Sequence, residues 1–320
     1  MDRLRLGTRG SQLALWQAQA VATLLERRGH PVEIVVIRTS GDRLHEAALA
    51  EVGGKGLFVR EIEDALFGGE VDVAVHSAKD MPAVLPEASA IAAVLPREDP
   101  RDALALPHAP AAGNIGEAVG RIGDSPTIGT SSVRRIAQLS MLLPRARFEP
   151  VRGNVDTRLA KLDAGGFDAL VLAAAGMKRL GLAGRITAAI PLADCIPAPG
   201  QGIVAVEVRA DDERTQSAVE AINDGATAAA LEAERAVVAA LGGGCQLPLG
   251  AIAVRDGAEL ELRAIVASID GRRSVKQSAR GPAAEPRDLG RRVADALARG
   301  GATAILDEAR PAHHPVEGSY

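Results

Sequence analysis

Hydrophobic positions along the first two-thirds of the chain follow two alternating spacings, one typical of buried strands and one typical of amphipathic helices. Apolar residues recur every three or four positions at Leu13, Trp16 and Ala20, which predicts a helix with one buried face. Ser11 is placed to cap the first turn of that helix, because its hydroxyl oxygen can accept a backbone N–H. Such helices alternate with short β-prone runs, and this alternation is typical of an α/β fold with largely parallel sheets.

Short apolar runs predict the strands of this part of the chain. They cover residues 4–6, 32–37, 71–75, 91–95, 127–129, 148–151 and 169–172. Two proline-containing segments, residues 96–100 and 197–202, interrupt the pattern and are candidate crossovers between domains. We therefore expect the chain to pass from a first domain into a second one and back again.

The last third of the chain has a different pattern. The dipeptides Asp256-Gly257 and Asp270-Gly271 stand between β-prone runs and predict tight hairpins. Helices are predicted on either side, over residues 226–241 and 286–299. These elements indicate a separate small α+β domain with an antiparallel sheet.

Composition narrows the classes of partner. Aromatic residues make up only 2 % of the chain, too few for a protein that stacks nucleic-acid bases on rings. The formal net charge is −4 and the basic residues form no run, so neither a nucleic-acid nor a membrane partner is expected. No apolar segment has the length of a signal peptide or a membrane span, and the two cysteines lack the spacing of a metal site. We therefore expect a cytoplasmic protein without a metal.

The most informative polar segment is His76-Ser77-Ala78-Lys79-Asp80, which directly follows a predicted strand. Ligands of open α/β sheets bind at the carboxyl ends of strands, so this segment is expected to face a cleft. Asp80 is a candidate catalytic carboxylate there. On spacing alone, an acid beside Lys79 is also typical of an exposed ion pair or a helix cap, and His76 alone is more typical of a structural residue.

Several further segments place hydroxyl groups, backbone amides and cations after predicted strands, where the N-terminus of a helix can receive an anion. They are Thr8-Arg9-Gly10-Ser11, Gly129-Thr130-Ser131-Ser132-Val133-Arg134-Arg135, Arg152-Gly153-Asn154 with Arg158, and Lys178-Arg179. A guanidinium group binds a carboxylate through a planar fork, so the recurring pattern indicates a ligand with several carboxylates. The alternative is a set of solvated surface arginines, which weakens as the pattern recurs.

Two glycine-rich segments carry further candidate chemistry. The segment GGKG at residues 53–56 lacks the spacing and the Ser or Thr of a phosphate-binding loop, so Lys55 is either exposed or reaches a ligand carboxylate. The glycines at residues 242–244 precede Cys245 and leave room for a large group near its sulfur. Cys245 is therefore a candidate for covalent attachment, although most cysteines are small buried hydrophobic residues. Cys195 fits that buried alternative better.

The sequence resembles the hydroxymethylbilane synthase (porphobilinogen deaminase) family over nearly its whole length. The segments that carry the resemblance are LRLGTRGSQLALWQ, GGKGLF, VDVAVHSAKDMP, REDPRDA, IGTSSVRR, RGNVDTRL, AGMKRLGL, PAPGQG and GGGCQLPLG. The resemblance implies two lobes like those of type II periplasmic binding proteins, and a third domain that bears the cofactor. On this basis the first domain comprises residues 1–99 and 200–222, the second residues 100–199, and the third residues 223–320.

The same resemblance implies a transferase that carries a dipyrromethane primer on Cys245 through a thioether. Four porphobilinogen molecules are added in turn with loss of ammonia, and water then releases hydroxymethylbilane. Asp80 is implied to stabilise positive charge on the pyrroles and to shuttle protons. The residues implied to hold the cofactor are Ser77, Lys79, Thr130, Ser131, Ser132, Arg134, Arg135 and Gly153, and those implied to hold substrate are Arg9, Ser11, Lys55, Arg152, Arg158, Arg179 and Gln201.

Asp156 departs from the family pattern, since an uncharged residue is commoner at this position. We expect it to be exposed to solvent; if it faced the cleft, it would weaken anion binding there. A monomer is expected from the resemblance. Two competing hypotheses are a solute-binding protein and a hydrolase with a cysteine nucleophile, for which no histidine is convincingly placed as the base. Both predict an unmodified Cys245.

Overall fold

The computed structural model describes residues 3–38, 57–242 and 246–310. The predicted site residues Lys55 and Cys245 lie outside these ranges, as does the C-terminal segment 311–320. Within the described part of the chain, no helix combines the length and the apolar character that crossing a membrane requires.

The described residues form three sheets and the helices that cover them. The strands are β1 (Leu4–Arg9), β2 (Val32–Ile37), β3 (Val73–Ser77), β4 (Ser89–Val94), β5 (Asp102–Ala105), β6 (Thr127–Gly129), β7 (Arg147–Glu149), β8 (Ala169–Ala173), β9 (Ala188–Ala189), β10 (Val204–Arg209), β11 (Leu249–Asp256), β12 (Glu259–Ala267) and β13 (Ser274–Pro282). The helices are α1 (Gln12–Arg27), α2 (Leu57–Phe67), α3 (Ile115–Gly120), α4 (Val133–Leu142), α5 (Val155–Asp163), α6 (Ala174–Arg179), α7 (Glu213–Glu220), α8 (Gly225–Ala240), α9 (Pro286–Arg299) and α10 (Ala302–Ala309).

Two five-stranded mixed sheets form two lobes. The strand order is β2-β1-β3-β10-β4 in the first lobe and β7-β6-β8-β5-β9 in the second. Strand β10 runs antiparallel to β3 and β4, and β5 runs antiparallel to β8 and β9. The prediction of largely parallel sheets is therefore wrong for these strands. A parallel neighbour is usually reached through a helix packed on the same sheet, whereas β5 and β10 each follow a segment that comes from the other lobe.

The last sheet is a three-stranded antiparallel meander of β11, β12 and β13. Gly257 and Gly271 have φ values of +61° and +70° at its two turns, so both predicted Asp-Gly hairpins are confirmed. Helices α8 and α9 bury Val237 and Leu289 against this sheet. The predicted architecture of two α/β lobes and a small C-terminal α+β domain with an antiparallel sheet is therefore confirmed.

Helix α1 shows how the sequence pattern produces these layers. The Oγ of Ser11 accepts the backbone N–H of Ala14 at 3.3 Å and so caps the first turn, as predicted. Val21 and Leu25, on the buried face, are fully covered by the first sheet, whereas Trp16 is 42 % exposed. The predicted apolar face is therefore offset by about one residue from the face that the helix buries. Burial of one such aliphatic side chain contributes roughly 1.5–3 kcal/mol to the free energy of folding. A core built from aliphatic residues can therefore be stable with few aromatic ones.

A single buried carboxylate joins the C-terminal domain to both crossovers. Glu234 on α8 is fully buried and accepts hydrogen bonds from Nη1 of Arg97 at 2.5 Å and from the backbone N–H of Gly200 at 2.6 Å. It also accepts the backbone N–H of Ala253 on β11 at 2.8 Å. Because Arg97 and Gly200 belong to different crossovers, this side chain connects all three parts of the molecule.

Candidate active site

A cavity of about 220 Å³ opens between the two lobes. The carboxyl ends of β1 and β3 form its wall in the first lobe, and the end of β8 forms part of its wall in the second. Its polar lining comprises Arg9, Ser11, Gln12, Gln17, His76, Ser77, Lys79, Asp80, Arg135, Asn154, Asp156, Arg158 and Arg179. The lining is rich in cations, which suits an anionic ligand.

The segment after β3 presents its polar groups to this cavity. Residues Ala78–Asp80 form a single 3-10 turn in which Ala78 is buried, and the backbone N–H of Ala78 donates to the carbonyl of Ile203 at 3.0 Å. The turn also packs closely on the second crossover, since a Cβ on Gly200 would lie 3.0 Å from Ala78. Lys79 and Asp80 are thereby held on rigid backbone at the cavity wall.

Ser77 is positioned by a residue that the sequence reasoning missed. Nε2 of Gln17 donates to the Oγ of Ser77 at 2.8 Å, and Gln17 is only 3 % exposed. Gln17 comes from α1, so the contact joins this helix to the end of β3 inside the cavity. Its spacing of four residues from Val21 and eight from Leu25 was a usable signal, because a glutamine among buried residues needs a polar partner.

Arg158 and Asp80 face each other from opposite lobes. Nε of Arg158 donates to the carbonyl of Gly153 at 2.7 Å, which fixes the guanidinium near the start of α5. Burial and the nearby Arg135 lower the pKa of Arg158, whereas the charge of Asp80 raises it. The carboxylate expected to act in catalysis therefore lies within electrostatic range of a buried guanidinium.

Arg179 also bridges the lobes. Its Nη2 donates to the carbonyl of Gly202 on the second crossover at 2.8 Å, and its guanidinium lies 5.3 Å from the ring centroid of Trp16 on α1. Burial is the main cause that lowers the pKa of Arg179, and the charge of Glu98 opposes it. Arg179 lines the cavity as predicted, and its contacts also connect α6 to the first lobe.

Arg135 lines the cavity but Arg134 does not. Arg134 is 4 % exposed and directs its Nη1 at Asp102 Oδ2 (2.7 Å) and at the carbonyl of Ile196 (2.9 Å). The prediction that Arg134 holds the cofactor is therefore not supported by its position. Two neighbouring helical residues point about 100° apart, so only one of the pair faces the ligand.

Gln201 is also turned away from the cavity. It is 1 % exposed, and its Nε2 donates to the carbonyl of Pro100 at 2.7 Å and to Asp102 Oδ1 at 3.0 Å. Gln201 thus forms a buried link between the two crossovers, and its predicted contact with substrate stays a prediction. Asp102, the acceptor shared with Arg134, was missed because the REDPRDA segment resembled only a polar crossover.

The hydroxyl residues before α4 lie outside the cavity lining. The Oγ of Ser131 donates to the carbonyl of Val151 at 3.0 Å, and the Oγ1 of Thr130 accepts the N–H of Ser132 at 3.3 Å. Arg152 is exposed and does not line the cavity either. The predicted contacts of these four residues with cofactor or substrate therefore stay predictions, as they do for Lys55 and Cys245 outside the described residues.

Asp156 is exposed to solvent, as expected, and it also lines the cavity. It lies in the first turn of α5, where a carboxylate interacts favourably with the helix dipole. The same charge opposes an anion in the cavity. Asp156 is therefore exposed, as expected, and its place in the lining also means that it weakens anion binding there.

Sequence comparisons identify relatives of the whole chain. A family model described as "Porphobilinogen deaminase, dipyromethane cofactor binding domain" matches residues 4–217, and one described as "Porphobilinogen deaminase, C-terminal domain" matches residues 228–299. The porphobilinogen deaminase of Geotalea uraniireducens is 45 % identical, covering 96 % of this chain and 95 % of its own. That of Burkholderia pseudomallei is 47 % identical, covering 95 % and 92 %.

Solved structures with a similar backbone include periplasmic domains. The VFT2 domain of BvgS from Bordetella pertussis is 19 % identical, covers 68 % of this chain and 85 % of its own, and gives a TM-score of 0.41. The putative periplasmic sulfonate-binding protein SsuA from Methylobacillus flagellatus is 16 % identical, covers 68 % and 66 %, and gives a TM-score of 0.37. These likenesses are distant and carry no argument about ligands.

Proposed function

Because this chain belongs to the porphobilinogen deaminase family, we propose how its own residues carry out the reaction that defines the family. The chain is a transferase of tetrapyrrole biosynthesis that polymerises porphobilinogen on a dipyrromethane cofactor, so the predicted function, enzyme class and cofactor are confirmed. The roles of individual residues form the proposal.

The cavity fits a dipyrromethane with acidic side chains. Arg9, Arg135, Arg158 and Arg179 line it together with Lys79, and partial burial lowers the pKa of Arg158 and of Arg179. Bound through the sulfur of Cys245, the cofactor would supply the free pyrrole carbon to which the first substrate is joined. Desolvated guanidiniums bind carboxylates strongly because the competing water is already removed.

We assign the central chemical role to Asp80. Each addition joins one substrate methylene carbon to one pyrrole carbon, releases ammonia and frees the proton of that pyrrole carbon. Positive charge develops on the substrate pyrrole when ammonia leaves, and a carboxylate at the cavity wall stabilises it and can accept a pyrrole proton. The observation that carries this assignment is the position of Asp80 on a short turn at the cavity wall, within a lining rich in cations such as Arg158.

The arginines hold the carboxylates of the lengthening chain in this proposal. Arg9 and Arg179 are presented by the first lobe and its junction with α6, and Arg135 and Arg158 by the second lobe. Loss of one partner from a buried charge pair costs roughly 2–5 kcal/mol. Replacing any one of these arginines by glutamine should therefore weaken substrate binding more than it changes the fold.

Intact-protein mass tests the attachment to Cys245. Protein produced with porphobilinogen available should exceed its sequence mass by two linked pyrroles, and Cys245→Ser should abolish the excess. Cys195→Ser is the matched control, because Cys195 is buried and should leave the excess unchanged. A wild-type mass equal to that of the bare sequence would refute the attachment.

Asp80→Asn tests the catalytic role. The variant should keep the excess mass but lose turnover by roughly a hundredfold or more, because a charge-stabilising group typically contributes that much. Asp80→Glu should recover part of the rate, since it restores the charge with a shifted position. Normal turnover by Asp80→Asn would reassign the role to another group.

We also propose the boundaries, oligomeric state and location of the protein. The division at residues 99, 199 and 222 is supported by the three sheets, because all strands of a given sheet come from one of the three proposed domains. A monomer that binds no nucleic acid, located in the cytoplasm, is the proposed state. Light scattering after size exclusion tests the oligomeric state, and absorbance spectra of the purified protein before and after nuclease treatment test for bound nucleic acid. Cell fractionation tests the location.

A further inference from the structure

Asp102 is a buried carboxylate that contacts both adjacent arginines of α4. It is fully buried at the first position of β5, directly after the first crossover. Its oxygens accept from Arg134, Arg135 and Gln201, and the Sγ of Cys195 lies 3.4 Å from Oδ2. Burial alone would raise the pKa of Asp102, but the two guanidiniums outweigh it and hold that pKa well below its usual range.

The charges of this cluster do not cancel. Two guanidiniums share one carboxylate, and Cys195 is neutral because burial raises its thiol pKa to about 12. One positive charge is therefore left over. Of the residues in this cluster only Arg135 lines the cavity, so its guanidinium is the one that an anionic ligand can reach.

Arg135 is the member of the cluster that presents this charge. Its Nε donates to Asp102 Oδ1 at 2.9 Å, its Nη2 lies 2.8 Å from the same oxygen, and its Nη1 donates to the carbonyl of Val171 at 2.8 Å. A guanidinium has five N–H groups, so one on each terminal nitrogen is not used by these contacts. Since Arg135 lines the cavity, those two groups can receive one ligand carboxylate.

We propose that Asp102 is a positioning residue that fixes the guanidinium of Arg135 toward the ligand, while Arg134 serves as its charge partner and does not contact the ligand. This inference rests on the proposed function, because it takes the ligand to be the acidic pyrrole chain. Gln201 links the same carboxylate to the second crossover, so the position of Arg135 is set from the junction of the two lobes.

A charge-matched set of variants tests the inference. Arg134→Gln leaves Asp102 and Arg135 in contact but removes the excess charge, whereas the double variant Asp102→Asn with Arg134→Gln restores that charge without the carboxylate that orients Arg135. KM for porphobilinogen should stay within about threefold of wild type in Arg134→Gln and rise roughly tenfold or more in the double variant. The fraction of chains carrying the two-pyrrole mass should fall only in the double variant.

Stability must be separated from positioning. Thermal unfolding of every variant is compared with that of Asp72→Asn, which removes a bidentate contact with Arg5 away from the cavity. Asp72→Asn should lower the unfolding temperature with KM unchanged. If the double variant loads its cofactor and binds substrate like Arg134→Gln, the carboxylate of Asp102 is not needed to position Arg135 and the inference is overturned.

Arg134→Gln also decides the question by itself if variants of Asp102 do not fold. A tenfold increase of KM in that variant would show that Arg134 contacts the ligand and would overturn the inference, whereas a change within about threefold supports it. Failure of the proposed function would look different, since wild-type protein would then neither carry the added mass nor consume porphobilinogen.

Discussion

Nε2 of His76 lies 2.9 Å from Oε2 of Glu207, and the pair is sealed in the first lobe with 3 % and 0 % of the two side chains exposed. Within the described residues, Nε2 of His76 and both carboxylate oxygens of Glu207 lack a hydrogen bond of ordinary geometry, and Oε1 of Glu63 on α2 is a further buried atom in the same condition. Burial, followed by the charge of Glu207, raises the pKa of Glu63, and His76 opposes the rise. Because His76 also lines the cavity, two carboxyls and one imidazole lie behind its wall.

The raised pKa of Glu63 predicts a pH-dependent gain of stability in Glu63→Gln. An acid whose pKa is raised by folding contributes its full stability below the unfolded-state pKa and loses it as the pH rises through the raised value. The free energy of unfolding of the variant relative to that of wild type should therefore increase as the pH rises above the ordinary carboxyl value of about 4. The gain should stay below ~1 kcal/mol, since the group is partly exposed and solvent screens it.

Urea denaturation at several pH values measures this gain. Glu70→Gln, at an exposed acid of the same lobe, is the control and should show no such trend. A difference between Glu63→Gln and wild type that is constant or shrinks with rising pH would contradict the pKa direction.

Burial of Cys195 predicts the thiol count of the protein. Burial is the main cause that raises its pKa to about 12, so the thiolate that reacts with alkylating reagents is scarce at neutral pH. Folded active enzyme should therefore react with no iodoacetamide, and denatured active enzyme should expose one thiol per chain. Two thiols in denatured, fully active protein would mean that Cys245 carries nothing.

Removing the charge of Asp156 should strengthen binding of the acidic substrate. Asp156 lines the cavity and is exposed, so its repulsion of an anion is screened by salt. KM of Asp156→Asn for porphobilinogen should fall roughly two- to threefold at low ionic strength and match wild type near 1 M salt. The variant should also lose about 0.3–1 kcal/mol of stability, because α5 loses a favourable first-turn charge.

Asp124→Asn provides the control for net charge, since its carboxylate is 87 % exposed and lies outside the cavity lining. It should leave KM unchanged at every salt concentration. An equal fall of KM in both variants would assign the effect to overall charge and not to the position of Asp156.

Gly153 should not tolerate a side chain. Its φ is +108°, and a Cβ would lie 2.8 Å from the side chain of Thr157. Gly153→Ala should therefore lose roughly 1–3 kcal/mol of stability and raise KM, because the carbonyl that accepts from Arg158 would move. Gly165→Ala, at the other end of α5 with φ of +79° and open space around it, should lose stability without a change of KM.

Local patterns predicted most elements of this fold, but not all of its strands or their directions. Ser11 and the two Asp-Gly turns act through contacts within a few residues, so their effects could be predicted from short segments. Strands β5 and β10 were not predicted. Each follows a crossover between the lobes, and its antiparallel direction depends on contacts between distant parts of the chain. Strand β3 was predicted two residues early, since burial continues through His76.

The candidate site was predictable as a set of segments and less so as individual contacts. Asp80, Arg158 and Arg179 were found because polar groups after strands share one edge of a sheet. The predicted contact of Arg134 with the cofactor stays a prediction, and the sequence of two adjacent arginines did not indicate which one lines the cavity. That choice is made by Asp102, 32 residues away in sequence, and only the folded chain brings the two together.

The contacts of Glu234 limit how far the C-terminal domain can be treated as an exchangeable module. Although its own family model begins at residue 228, Glu234 and Leu231 of α8 are buried against the crossovers and the first lobe. Removing or exchanging this domain would leave Arg97 without its carboxylate partner and would expose an apolar face on the remaining lobes. Shuffling between relatives should therefore succeed only when the crossovers travel with the domain that they support.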